Sequence, residues 1–176
     1  EVVPPLSLGV QGPKSLAIAG RAADGTILPE GSAPAFVRWA RAQIAQSAAA
    51  ARRTDHHRLT VFTFASVRED GAQARADVRP IIANLLPYPD VQRKIEPTGL
   101  LPEIKARLAA DGAAGLADDM PDEWLRQLTV SGTPDECAAA IHALRDAGAD
   151  AVVLVPAVEE PTMMAALARE VLPLVR

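Results

Sequence analysis

The chain has 176 residues, 49% of them hydrophobic, and a formal net charge of −4. That is enough apolar material for one domain with a packed core, which excludes disorder, and Lys and Arg are dispersed without a basic run, which argues against general nucleic-acid binding. The lone cysteine, Cys137, excludes an intramolecular disulfide and points to a reducing cytoplasm, and no apolar run approaches the ~20 residues that span a bilayer.

The opening stretch reads as strand, glycine turn, helix and second strand. Val3 to Val10 is short, mostly apolar and opened by Pro4-Pro5, as suits the start of a buried strand. Gly9 and Gly12 bracket a turn, and Pro13 follows as a first helical residue, where its missing N–H costs nothing. Leu16, Ala19, Gly20 and Ala23 give that helix a small-residue face. It should end near Asp24-Gly25, with Gly25 in the left-handed conformation, before a strand from Thr26 to Pro29. Backbone N–H groups at Gln11, Gly12 and Lys14 have no intrahelical partner, the helix dipole favours an anion there, and Lys14 adds a full charge. Spacing alone leaves open an ordinary loop with a solvated lysine, because the pattern is neither a Walker loop nor a dinucleotide fingerprint.

A second helix follows, with Ser32 as N-cap and Phe36, Ala40, Ile44 and Ala48 on one face. Trp39 lies beside that stripe and reads as core or rim packing, and Arg52-Arg53 complement the helix C-terminus. Adjacent His56 and His57 suggest metal ligands, but consecutive residues of an extended segment point to opposite faces and no zinc-spaced partner stands nearby, so no metal is assigned. Leu59 to Val67 is the clearest strand, with Leu59, Val61, Thr63 and Ala65 on one face and Thr60, Phe62, Phe64 and Ser66 on the other. Thr63, Ala65 and Ser66 near its end are positioned to line a ligand mouth.

A helix over residues 72–86 has Val78, Ile81, Ile82, Leu85 and Leu86 as its buried stripe, and Pro80 should kink or break it. From Pro87 to Asp122 the pattern is irregular, with a short helix over 100–110, a loop over 112–119 and another short helix over 121–128. Asp118-Asp119 and Asp122-Glu123 read as solvated helix-start carboxylates, Asp122 and Glu123 sitting where a first turn favours negative charge. Thr133-Pro134-Asp135-Glu136 writes a capping box. Cys137 inside that helix reads as a structural thiol, with His142 at i+5 sharing its face poorly. A buried strand over 149–155 and a closing helix over 161–175, with Met164, Leu167, Ala168, Val171 and Leu172 inward, complete the chain.

The runs LGVQGPKSLAIAGRAADGTIL and VSGTPDECAAAIHALRDAGADAVVLVP together resemble the C-terminal half of the luciferase-like monooxygenase family, particularly its deazaflavin F420-dependent reductase branch. The resemblance covers nearly the whole chain. It implies an α/β fold, the C-terminal half of a TIM (β/α)8 barrel with about four parallel strands, outer helices and a helical insertion, about 87–128, before the last strand. It also implies that the loop matching Gln11-Gly12-Pro13-Lys14 holds the phosphate of coenzyme F420 or of FMN. The candidate cofactor-binding set is therefore Val10, Gln11, Gly12, Pro13 and Lys14, with Arg126 a second cation for the same phosphate.

Four strands are half of the eight that close a barrel, and a half barrel exposes two sheet edges and an apolar inner face. The expectation is one α/β domain over 1–176, acting on a small-molecule substrate without nucleic acid or membrane; its start at Glu1, without methionine, suits a fragment, a processed chain or a chosen boundary. It should associate with itself or with a missing N-terminal half. No histidine, glutamate or cysteine forms a constellation that moves a proton, so no catalytic residue is assigned. The leading function is the phosphate-anchoring half of an F420-dependent oxidoreductase. The alternatives are an FMN-dependent monooxygenase, a non-catalytic half barrel that dimerises, and an unrelated phosphate-binding α/β enzyme.

Overall fold

Residue 62 of the longest strand pairs with Val153 of a parallel neighbour while its side chain lies on the half-buried face of the sheet, and the architecture grows from that strand. The computed structural model describes residues 4–176, so Val3 of the expected first strand lies outside the described residues. Five parallel strands form one sheet: β1 (Ser7–Gly9), β2 (Gly25–Leu28), β3 (Arg58–Val67), β4 (Val130–Gly132) and β5 (Ala151–Pro156). β1 pairs with β2, and β2 with the first half of β3, Gly25 opposite Arg58 and Leu28 opposite Val61. β5 runs along β3 from Thr60 to Ala65, and β4 pairs only with Ala65 to Val67. A strand has two edges, so β2 and β4 share one edge of β3 at opposite ends and β5 takes the other. The sheet is thus half of a (β/α)8 barrel, β1-β2-β3-β5, with β4 added beside the end of β3. Val130–Gly132 supplies this extra strand, one more than the four expected.

Alternation in β3 sorts the two faces. Leu59, Val61 and Ala65 are fully buried under the helices, whereas Thr60, Phe62 and Phe64 are half-buried on the other face. On that second face the pairing places Ile27 beside Thr60 and Val153 beside Phe62, and Val153 is 36% exposed. Among the described residues β1 and β5 are each paired on one side only.

The outer core joins β3 to α1 (Pro13–Ala22), α2 (Pro34–Ala50), α7 (Pro134–Asp146) and the closing helical segment, through Leu16, Phe36, Ile44, Cys137, Leu144 and Leu167. Gly20 is what lets α1 reach α2: a Cβ there would lie 2.2 Å from Ser47 Oγ and 2.5 Å from the Ile44 carbonyl oxygen. A second core joins α3 (Gly71–Leu85), α4 (Pro89–Ile95), α5 (Leu101–Asp118) and α6 (Asp122–Leu128) above the end of β3.

Several expectations change. Gly25 is not a left-handed cap; it is the first residue of β2, where a Cβ would meet Ser7 Oγ at 2.6 Å and the Arg58 carbonyl oxygen at 2.9 Å. Ala33, not Ser32, caps α2, because Pro34 takes the first helical position and Ser32 Oγ donates to the Pro29 carbonyl at 2.6 Å to close the preceding turn. α3 runs through Pro80, which sits on the exposed side with Ala76, so the carbonyl left without a helical N–H faces water. Residues 113–118 are helical rather than a loop; only Gly112, at φ 67°, breaks α5. In the closing segment Met163, Leu167 and Val171 are buried, while Met164 is 53% and Leu172 38% exposed. A π-helical turn over Leu167–Val171 interrupts the α-helical spacing there.

Candidate functional site

β1 ends at Gly9, and three residues later Gly12 caps α1 in an extended conformation with Pro13 at its first position. Pro13 has no N–H, and the first intrahelical bond is Leu16 N–H to Gly12 C=O at 2.9 Å, so the N–H groups of Lys14 and Ser15 precede the ladder. Val10 is held to β2 through its N–H and the Ile27 carbonyl at 3.2 Å. Lys14 is exposed, and Ser15 Oγ donates to Gly12 C=O at 3.0 Å. A cavity of about 300 Å³ opens beside this loop, lined by Gly9, Val10, Gln11, Ile27, Pro29, Glu30 and Phe62. It lies at the C-terminal ends of β1 and β2 on the inner face of the sheet, the end of a barrel that carries chemistry.

Of the five expected residues, Val10 and Gln11 line the cavity, while Gly12, Pro13 and Lys14 form the helix start next to it. Arg126 does not join them. Its guanidinium sits 3.8 Å from Glu123 and 3.9 Å from Glu136, in the packing of α6 against α7.

α4, which the sequence left irregular, supplies three polar residues around the loop. Asp90 accepts from Gln11 Nε2 at 2.9 Å, and that hydrogen bond holds its carboxyl below the usual carboxylate range. Lys94 is 3% exposed and donates from Nζ to the Glu30 main-chain carbonyl; burial pushes its ammonium down, opposed by the charges of Asp90 and Glu30. Arg93 is exposed, and its Nη1 lies 3.8 Å from where a Cβ on Gly12 would stand. The signal for this helix was present in Pro89, Asp90 and the Arg93-Lys94 pair, which are start and stop residues.

The other flagged groups lie elsewhere. Cys137 is fully buried, and burial pushes its thiol up to about 12. His57 is buried, meets Thr26 Oγ1 at 2.9 Å and has its pKa lowered by burial and then by Arg41 and Arg53. Its position ahead of β3 is the N-terminal, stability end of the sheet. His56 is exposed beside Asp150 at 3.0 Å, so the two histidines do diverge, and among the described residues no group of three His, Cys, Asp or Glu side chains converges. Thr63 and Ala65 face the helices, and Ser66 Oγ donates to Asp77 at 2.6 Å, so none of the three lines the cavity. Asp122 is not solvated as expected but pairs with Arg75 at 2.7 Å and Arg79 at 2.6 Å. No helix among the described residues is long and apolar enough to cross a membrane.

Comparison with known proteins fits this geometry. The model of the luciferase-like monooxygenase family matches residues 1–151. A 5,10-methylenetetrahydromethanopterin reductase of Methanolobus tindarius is 31% identical over 157 residues, 85% of this chain and 47% of that protein. The structure of the coenzyme F420-dependent tetrahydromethanopterin reductase of Methanopyrus kandleri superposes with a TM-score of 0.78 at 23% identity, covering 98% of this chain and 51% of that one. A riboflavin lyase solved with modified FMN and riboflavin superposes with a TM-score of 0.64 at 19% identity, covering 98% of this chain and 43% of that one. The chain therefore spans about half the length of the relatives it matches.

Proposed function

The chain belongs to the luciferase-like monooxygenase family, and from that premise we propose that it is the phosphate-anchoring, C-terminal half of an F420-dependent oxidoreductase. The observation that carries the reading is the Gly12-capped start of α1, whose Lys14 and Ser15 N–H groups precede the helical ladder beside a cavity of about 300 Å³. The residues fit the group. The extended Gly12 presents no side chain, and the nearest atoms to a Cβ there are Ser15 Oγ at 3.5 Å and Arg93 Nη1 at 3.8 Å, so donors surround the approach. Val10, Ile27 and Phe62 would supply an apolar wall to a flat ring, and the phosphate would meet the N–H groups of Gln11, Gly12 and Lys14 with the Lys14 ammonium.

Bound F420 would bring two-electron hydride transfer as its own chemistry. The contribution of this half is to neutralise the phosphate charge, fix the ring against β1 and β2, and keep water from one face. Among the described residues Glu30 is the one acidic residue in the cavity lining, and no second proton-moving side chain lines it. The rest of the ring's surroundings and the substrate contacts belong to a second half barrel in this reading, so residues 1–176 alone should reduce F420 weakly or not at all and should self-associate through the open edges and inner face.

FMN is the second reading, because a phosphate loop of this kind accepts either cofactor. Titration of the completed barrel separates them: F420 should bind in preference to FMN, seen as a change in deazaflavin fluorescence, and binding of FMN alone moves the protein to the flavin branch.

A further inference from the structure

We propose that α4 is a clamp that sets the mouth of the cavity, with Asp90 and Lys94 as positioning residues for the loops after β1 and β2. The two residues stand at i and i+4, one above the other on the same helix face. Asp90 grips Gln11, on the loop leaving β1, and Lys94 grips the main chain at Glu30, on the loop leaving β2. Gln11 and Glu30 both line the cavity, so one turn of helix holds two of its walls at a fixed separation.

Lys94 carries the argument furthest. Lysine is rarely buried, yet this one is 3% exposed and its Nζ donates to the Glu30 main-chain carbonyl rather than to a carboxylate. Its Nζ also lies 3.9 Å from where a Cβ on Gly31 would stand, and Gly31 adopts φ +76°, a turn that glycine makes without strain. An ammonium placed there is stable only while the Glu30 carbonyl remains turned toward it, so docking of α4 and the shape of the turn are linked. Val91 and Ile95 anchor the helix in the second core on either side, at 6% and 0% exposure. The clamp belongs to the helical segment between α3 and β4, which gives that segment a role in the site.

The effect on cofactor rests on the F420 reading above; the clamp itself does not, and the test separates them. Amide hydrogen exchange is measured on the full chain without ligand for Asp90→Ala, Lys94→Met and Asp90→Asn. Asp90→Ala should raise exchange about tenfold at residues 10–12, and Lys94→Met at residues 29–33, with α3 and α5 unchanged. Asp90→Asn keeps an acceptor for Gln11 Nε2 and should behave as the unaltered protein. F420 titration of a complete barrel carrying this half should then show about tenfold weaker binding for the first two variants and normal binding for Asp90→Asn. Unchanged exchange at both loops overturns the clamp, as does a rise spread evenly through α3 and α5. Looser loops with undiminished F420 affinity overturn the positioning role, and absence of F420 binding by the unaltered protein overturns the cofactor reading while exchange still decides the clamp.

Discussion

Arg75 on α3, only 5% exposed, donates from Nε to Asp122 Oδ2 at 2.7 Å, and Asp122 begins α6, 47 positions further along the chain. The same guanidinium reaches Glu136 from Nη1 at 3.2 Å, so one buried cation ties the helical segment between α3 and β4 to the start of α7. Removing Asp122 leaves Arg75 buried with Glu136 alone. Asp122→Ala should lower unfolding free energy by about 2 to 3 kcal/mol in urea titration. A loss under about 0.5 kcal/mol would mean that Arg75 is adequately solvated without it.

The same cluster sets an acid limit. Burial would raise the Asp122 carboxyl, but the Arg75 hydrogen bond and the charges of Arg75, Arg79 and Arg126 hold it below its ordinary value. The Thr133 N–H first, and Arg75 after it, hold Glu136 low against burial. Groups depressed in the folded state stabilise it above their unfolded values, about 3.9 and 4.3, and that stability disappears as pH falls through the folded values. Stability should therefore hold from pH 7 to about 5 and fall below about 4. Asp122→Asn should flatten the fall, and an unchanged slope in that variant would contradict the assignment.

Gly20→Ala tests the contact between α1 and α2. Alanine is the better helix former by about 1 kcal/mol, yet its methyl would overlap Ser47 Oγ and the Ile44 main chain. The serine can turn away, whereas the carbonyl cannot. Overpacking of this kind costs about 1 to 3 kcal/mol, so the thermal midpoint should drop; a rise would show that α1 slides without cost.

Cys137 should stay inert while the protein is folded. A thiol pushed up to about 12 and fully buried has almost no thiolate at pH 8. Labelling by a disulfide reagent should therefore track global unfolding in urea, and rapid labelling without denaturant would place the thiol at a surface.

The first turn and helix were legible because Gly12 and Pro13 have few other uses in that order, whereas the strand before them, read as buried from Val3 to Val10, is only Ser7–Gly9 and mostly exposed; the capping box of Thr133 and Glu136 formed as written. The alternation of β3 likewise separated the helix-facing from the inner residues. α4 was missed although Pro89 and Asp90 mark a helix start, because its seven residues are too few to show a periodic stripe, and nothing local marks Lys94 as buried when lysine ordinarily reaches water. Its partners, Gln11 and Glu30, lie 79 and 64 positions away from the residues that grip them. Pro80 misled because a proline's effect depends on which side of the helix it faces, and the closing stripe misled because a π-helical turn departs from the 3.6 period.

The most direct measurement compares two ligands that share the ring: F420 and the same deazaflavin lacking its phosphate and the groups beyond it. Each is titrated by fluorescence into a complete barrel carrying this half, with Lys14 intact and with Lys14→Ala. If the Val10–Lys14 loop anchors the phosphate, the substitution weakens F420 by about 1 to 3 kcal/mol and leaves the phosphate-free ring unchanged. Equal affinity for F420 before and after the substitution, or an equal loss for both ligands, would contradict the anchoring role.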